Sequence, residues 1–229
     1  MRGFLIYKDT RVGVGFRICY MKKINNDKDL AISILNDITQ SLKNDVGSAL
    51  KTYHGVFISS PVGIGFFAIP RLIFPEIDNL GCYLVGDIKH TASNAISFMK
   101  MYFSKVDPEY RSKSAFIYFV YRHGLMHQHM PKSVSCNKKN IGWSVGISTP
   151  NTKTSHLNFI ANSLNIDGQQ FYEDFLRALE LYKKDVLSND AILKNLITAH
   201  RKMISPVPET ELLKKPYIKQ SDLDFLKDF

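Results

Sequence analysis

Residues 107–131 read DPEYRSKSAFIYFVYRHGLMHQHMP. Asp107-Pro108 is a capping side chain followed by proline at a first-turn position, where its missing N–H costs a helix nothing. The apolar run Phe116–Tyr121 is too greasy for a solvated face, so this predicted helix must pack. Pro131 stops it, because the residue before a proline avoids the α region. Its last turns carry Tyr121-Arg122-His123-Gly124-Leu125-Met126-His127-Gln128-His129, with one arginine and three of the chain's seven histidines. Polar side chains gathered on a core-type helix cost desolvation unless they are satisfied or used.

Upstream, Asn26 or Asp27 caps a helix whose Leu30, Ile34, Ile38, Leu42, Val46 and Leu50 recur every four residues. Ser60-Pro61 opens a second, which Pro70 and Pro75 must kink or interrupt; it is apolar on most faces, hence buried. Thr91 caps a third, through ASNAISFMKMYFS. With the 107–130 segment these make four helices on short connections, an antiparallel bundle over 26–132.

Downstream of Pro131 the texture changes. Residues 141–149 and 155–166 read as short strands, the second folding back near Asn162-Ser163, so a small β-hairpin is expected. Asp167-Gly168 then opens an amphipathic helix with Phe171, Phe175, Ala178, Leu179, Tyr182 and Val186 on one face, and Asp190 caps a last helix ending at Ile204. Residues 1–25 read as an arm or short strands, and 206–229 as a tail that docks late or not at all. No Gly/Ser linker divides the chain, so 1–229 is read as one mainly α domain, with 133–205 supplying the hairpin and two further helices.

Composition narrows the function classes. With 229 residues, 45% hydrophobic and 22% charged, the chain can bury a sizeable core, which excludes disordered and fibrous classes. No apolar run approaches the ~20 residues of a membrane span. Cys19, Cys82 and Cys136 are odd in number and lack a CxxC, pointing to a reducing cytoplasm. The formal charge of +9 favours polyanions, RNA among them. Val12-Gly13-Val14-Gly15-Phe16 and Val62-Gly63-Ile64-Gly65-Phe66 look alike, but neither completes GxGxxG within a βαβ unit, which argues against a nucleotide loop. His54, His90, His156 and His200 are dispersed and read as surface or cap residues, Trp143 as a core anchor, and the paired lysines as solvated.

Three roles fit the Arg/His cluster. His123 and His127 are i,i+4 and share a helical face as a zinc pair does, but no HExxH glutamate or third ligand accompanies them. In a structural role, Arg122 pairs with a buried carboxylate such as Glu76 or Asp78. In a chemical role, His127 takes the proton of an RNA 2′-hydroxyl at neutral pH and Arg122 clamps the phosphate. Residues five apart point about 140° away from each other on an ideal helix. Convergence then requires a distortion at Gly124 or a second copy of the motif across a two-fold axis.

Arg122 to His127 is R-x4-H, with a polar residue directly after the arginine, on a late helix of an expected four-helix bundle. This resembles the HEPN superfamily, whose R-x4–6-H motif marks many metal-independent endoribonucleases. The resemblance covers about residues 26–132. It implies Arg122 and His127 as the catalytic pair, His123 as the supporting polar residue, RNA as substrate, no cofactor, and a homodimer whose interface includes the 108–130 helix. Non-catalytic members keep the rival open: a helical partner or nucleic-acid-binding module.

Overall fold

The computed structural model describes residues 26–57, 67–128, 130–148 and 154–224. The arm, both glycine pairs, Ser60-Pro61, Cys19 and His129 lie outside the described residues.

Helix α1, Asp27–Phe57, starts where Asn26 Oδ1 accepts the Asp29 N–H (2.9 Å). Leu30, Ile34, Ile38, Leu42 and Val46 are buried, as their spacing requires. Helix α2, Ala68–Val85, runs through both prolines. Pro70 sits in the first turn, where no N–H is missed, and Pro75 removes one interior bond without ending the helix. Ile69, Ile73, Phe74, Ile77 and Leu80 are fully buried, so packing outweighs the proline.

Helix α3, Thr91–Phe98, has His90 at its cap position rather than Thr91, which is already helical. Gly81 of α2 lies against its second turn, and a Cβ there would come within 2.5 Å of the Asn94 carbonyl carbon. A π-helical segment, Met99–Phe103, and a short α4, Ser104–Val106, continue the rod. The Asp107 carboxylate accepts the Glu109 N–H (2.9 Å) and turns the chain into α5, Tyr110–Ile117. A second π-helical segment, Tyr118–His123, leads into α6, Gly124–Gln128.

The expected hairpin is instead a four-stranded mixed sheet, β1 Val134–Cys136, β2 Lys139–Gly146, β3 Phe159–Ile160 and β4 Ser163–Asp167, in the order β1-β2-β4-β3. Asn137 and Lys138, both at positive φ (50° and 61°), make the two-residue turn between β1 and β2. β3 folds back on β4 around Ala161-Asn162. The central pair β2/β4 is parallel, with Trp143 opposite Leu164 and Val145 opposite Ile166.

Asp167 caps α7, Gly168–Ser188, its Oδ1 accepting the Gln170 N–H (3.0 Å). All six residues of the expected apolar face are buried; large side chains of this kind contribute roughly 1.5–3 kcal/mol each. Helix α8, Asp190–Ile204, is capped by Asn189, one residue before the aspartate expected in that role. Helices α7 and α8 are not appended to a finished bundle: both pack on α1 and α2 in the same core. Aromatic rings run through it, Phe74 against Phe171 (5.4 Å), Phe103 against Tyr110 (4.9 Å) and Tyr102 against Tyr182 (5.2 Å). The tail carries a short α9, Glu209–Leu212, and a single 3₁₀ turn, Gln220–Asp222, with no buried residue in either.

No described helix is long and apolar enough to cross a membrane. The apolar run Phe116–Tyr121 is consumed largely within the chain. Ile117, Tyr118, Val120 and Tyr121 are buried, Phe116 meets Phe159, and only Phe119 is half exposed.

Candidate functional site

Two buried tyrosines set the orientation of the Tyr118–His123 segment. The Tyr121 hydroxyl lies 2.6 Å from the Leu164 carbonyl and 3.1 Å from that of Ser144, on adjacent parallel strands. The Tyr118 hydroxyl donates to Asp78 Oδ1 on α2 (2.8 Å). One side of the segment is thus tied to the sheet and the other to α2, and burial pushes both phenols well above their ordinary pKa.

Arg122 follows. Its Nε and Nη2 both donate to Asp78 Oδ2, at 3.0 and 2.7 Å. Asp78 is the partner, not Glu76, whose carboxylate instead accepts from Asn79 (3.2 Å). Burial disfavours the Arg122 charge, but the hydrogen bond and charge of Asp78 outweigh it and raise its pKa. The pin leaves Nη1 unused by the carboxylate, and it lies 3.4 Å from His127 Nε2. A guanidinium has no acceptor, so this contact is a hydrogen bond in the tautomer that leaves Nε2 free to accept. His127 itself is exposed.

The 140° separation expected for residues five apart is overcome within one chain. The wider π turn replaces i→i+4 bonding with i→i+5 over Tyr118–His123. Gly124 then lets the chain return directly over the helix. A Cβ there would stand 2.5 Å from the Met130 carbonyl oxygen and 2.6 Å from Pro131 Cα. Lys132 N–H bonds back to the Val120 carbonyl (2.9 Å), fixing that crossing. Gly124 itself keeps ordinary right-handed helical angles (φ −64°, ψ −51°), so the distortion expected there is not found; the non-ideal step is the π-helical segment that ends at His123, and Arg122 Nη1 and His127 Nε2 approach within one chain.

His123 stacks on Phe119 (6.0 Å, 6° between rings) and stands 4.7 Å from the His127 ring. Its pKa is lowered by desolvation, then by the positive charges of Lys132, His127 and Arg122. Among the described residues no three His, Cys, Asp or Glu side chains gather as metal ligands, and Cys82 and Cys136 are free.

An open cleft of about 510 Å³ adjoins Arg122, and His127 is not among its lining residues. It is lined by Tyr118, Arg122 and His123 and, from the α2–α3 turn and first turn of α3, by Lys89, His90, Thr91, Ala92 and Ser93. Neither Lys89 nor His90 is marked by any motif, because the turn that carries them is remote in sequence from Arg122.

Two histidines read as surface or cap residues are instead partly buried and hydrogen-bonded within the fold. His156 Nδ1 accepts the Asp167 N–H (3.1 Å), while Nε2 lies 2.9 Å from the Tyr110 hydroxyl and 3.3 Å from Asp174 Oδ2. The His156 and Asp174 side chains are only 10% and 2% exposed, so this trio fastens the 154–158 loop to α5 and α7 rather than facing a substrate. His200 stands 3.3 Å from the Tyr83 hydroxyl, its pKa lowered by burial. Trp143 is only partly buried and packs edge-on against Phe67 (5.5 Å).

Comparison with protein-family models, curated proteins and solved structures finds no match. Function is therefore argued from the site's own chemistry.

Proposed function

We propose that this protein is a metal-independent endoribonuclease resembling HEPN proteins, with Arg122 and His127 as its catalytic pair. One observation carries the proposal: a guanidinium held on two of its nitrogens by a buried carboxylate offers its third to an exposed imidazole 3.4 Å away. Such a pair is preorganised for a phosphodiester. A phosphate entering between them takes Nη1 onto a non-bridging oxygen and frees Nε2 for the neighbouring 2′-hydroxyl. The 2′-oxygen then bonds to phosphorus, its proton passes to Nε2, and the bond to the 5′-oxygen breaks. That oxygen takes a proton from water. The products are a 2′,3′-cyclic phosphate and a 5′-hydroxyl. His123, its pKa lowered by desolvation and then by its cationic neighbours, is the supporting polar residue at the edge of the site.

A homodimer remains part of the proposal on other grounds than convergence. Phe119, Met126 and Met130 are about half exposed in the segment around His127, apolar surface suited to a second copy. Light scattering at micromolar concentration measures the stoichiometry.

The rival role is structural. The Asp78–Tyr118–Arg122 triad pins the helix to α2 whether or not RNA is cut, and a non-catalytic RNA-binding or partner module needs nothing more. RNA incubation in excess EDTA separates the two. Cleavage by wild type that Arg122→Ala and His127→Ala both abolish supports the nuclease; cleavage that EDTA abolishes points to metal; no cleavage leaves the module.

A further inference from the structure

The cleft beside Arg122 is not explained by one scissile phosphate. That phosphate is proposed to sit between Nη1 and His127, whereas the cleft lining omits His127 and runs from Arg122 to the α2–α3 turn and the first turn of α3. Its lining gathers the cationic side chains of Lys89 and Arg122 and the imidazoles of His90 and His123, from two separate segments. The backbone adds to them. The first intrahelical bond of α3 runs from the Asn94 N–H to the His90 carbonyl (3.0 Å), so the N–H groups of Thr91, Ala92 and Ser93 precede the helical ladder, and these residues line the cleft. The positive end of the helix dipole points the same way. Two carboxylates stand near: Asp78, which balances the Arg122 charge, and Asp87, whose Oδ1 accepts the Lys89 backbone N–H (3.3 Å); the Lys89 ammonium and the free N–H groups of the first turn of α3 therefore carry the attraction for a phosphate.

We infer that this cleft is a second phosphate subsite, which holds a phosphate flanking the scissile one and makes the preferred substrate a single-stranded RNA with more than one phosphodiester. The inference rests on the endoribonuclease proposal and deepens it. Arg122 lies between the two positions, its Nη1 edge on the reacting phosphate and its flank forming the cleft wall. Lys89 and the first turn of α3 supply the rest of the grip. The subsite contacts no base, so it adds affinity and positioning without sequence preference.

Two measurements test it. The first is kcat/KM on a dinucleotide, which has one phosphodiester, against a tetranucleotide, which has three. Wild type is expected to gain tenfold or more from the longer chain, and Lys89→Glu to lose most of that gain. Ser93→Glu is the second variant. A carboxylate in the first turn favours the helix, so the fold is kept while the cleft is closed to phosphate. Lys100→Glu, an exposed charge change outside the cleft lining, controls for net charge. A chain-length gain that is equal in wild type, Lys89→Glu and Ser93→Glu overturns the subsite while leaving the nuclease intact.

The second measurement needs no cleavage: fluorescence anisotropy of a 2′-O-methyl tetranucleotide. Binding weakened tenfold or more by Lys89→Glu and Ser93→Glu, and little by Lys100→Glu, supports the subsite even if no RNA is cut. Wild type that fails to bind the oligonucleotide, or binding indifferent to both cleft variants, overturns it.

Discussion

Asp78→Asn removes one charge at the centre of the site and alters almost nothing in shape. Wild-type Asp78 is 8% exposed and receives three hydrogen bonds, two from Arg122 and one from Tyr118. The amide oxygen can still accept from Tyr118, so that bond survives in neutral form. What is lost is the charge-assisted pair to Arg122. Breaking a fully buried pair costs about 3–5 kcal/mol, and an exposed one about 0–1. The Arg122 side chain is 23% exposed and can turn toward water, so the case falls between: about 2 kcal/mol. Urea unfolding followed by circular dichroism measures it. A double-mutant cycle with Arg122→Met isolates the pair and should return a coupling of about 1.5–2.5 kcal/mol. If Asp78 is what aims the guanidinium, kcat/KM on RNA also falls, by about 10–100-fold, since small misplacements of a clamping group carry large rate penalties. A coupling below about 0.5 kcal/mol would refute the claim that Asp78 holds Arg122.

Gly124→Ala tests the crossing of residues 130–132 over the helix. At φ −64° and ψ −51° a glycine in open space would gain up to ~1 kcal/mol from alanine; against the Met130 carbonyl the substitution should instead cost about 1–3 kcal/mol and lower Tm. His156→Ala strips a buried carboxylate of a partner and should cost about 2–4 kcal/mol in denaturant unfolding; a loss under ~1 kcal/mol would mean that the Tyr110–His156–Asp174 trio is not structural. His200 has a folded pKa lowered by burial, so folding favours its neutral form. Its contribution is complete above the unfolded value near 6.5 and is lost as pH falls below that toward the folded value. Tm should therefore drop on acidification from pH 7 to 5, and more steeply in wild type than in His200→Phe.

Helices α1 and α7 were legible because each shows one continuous apolar stripe and a capping side chain at its start, and burial follows that stripe throughout α7 and from Leu30 to Val46 in α1; α8 was legible from the end of α7 and the polar pair at its start. The partner of Arg122 was legible to within two carboxylates of the apolar α2, Glu76 and Asp78, and only the fold selects Asp78. The π-helical segments were not, because i→i+5 bonding leaves no distinct mark on side-chain periodicity. The same segment undid the reasoning from ideal helical angles: Arg122 and His127 meet inside one chain because the helix is not ideal. The parallel pairing of β2 with β4 joins strands that are not consecutive, and the Asn137-Lys138 turn lacks the glycine that usually announces a two-residue hairpin. His156 looked like a loop residue because its three partners, Tyr110, Asp167 and Asp174, come from three separate elements. The cleft at Lys89 and His90 arises in the same way, from a turn that only the tertiary fold carries to Arg122.

The central claim is that Arg122 and His127 cut RNA through its own 2′-oxygen. Mass spectrometry of the products of a defined oligoribonucleotide, incubated with the protein in excess EDTA, tests it most directly. The account predicts fragments ending in a 2′,3′-cyclic phosphate and beginning with a 5′-hydroxyl, absent with His127→Ala and absent when the nucleotide 5′ to the cut is 2′-O-methylated. Fragments bearing a 5′-phosphate and a 3′-hydroxyl, or undiminished cleavage by His127→Ala, would contradict it.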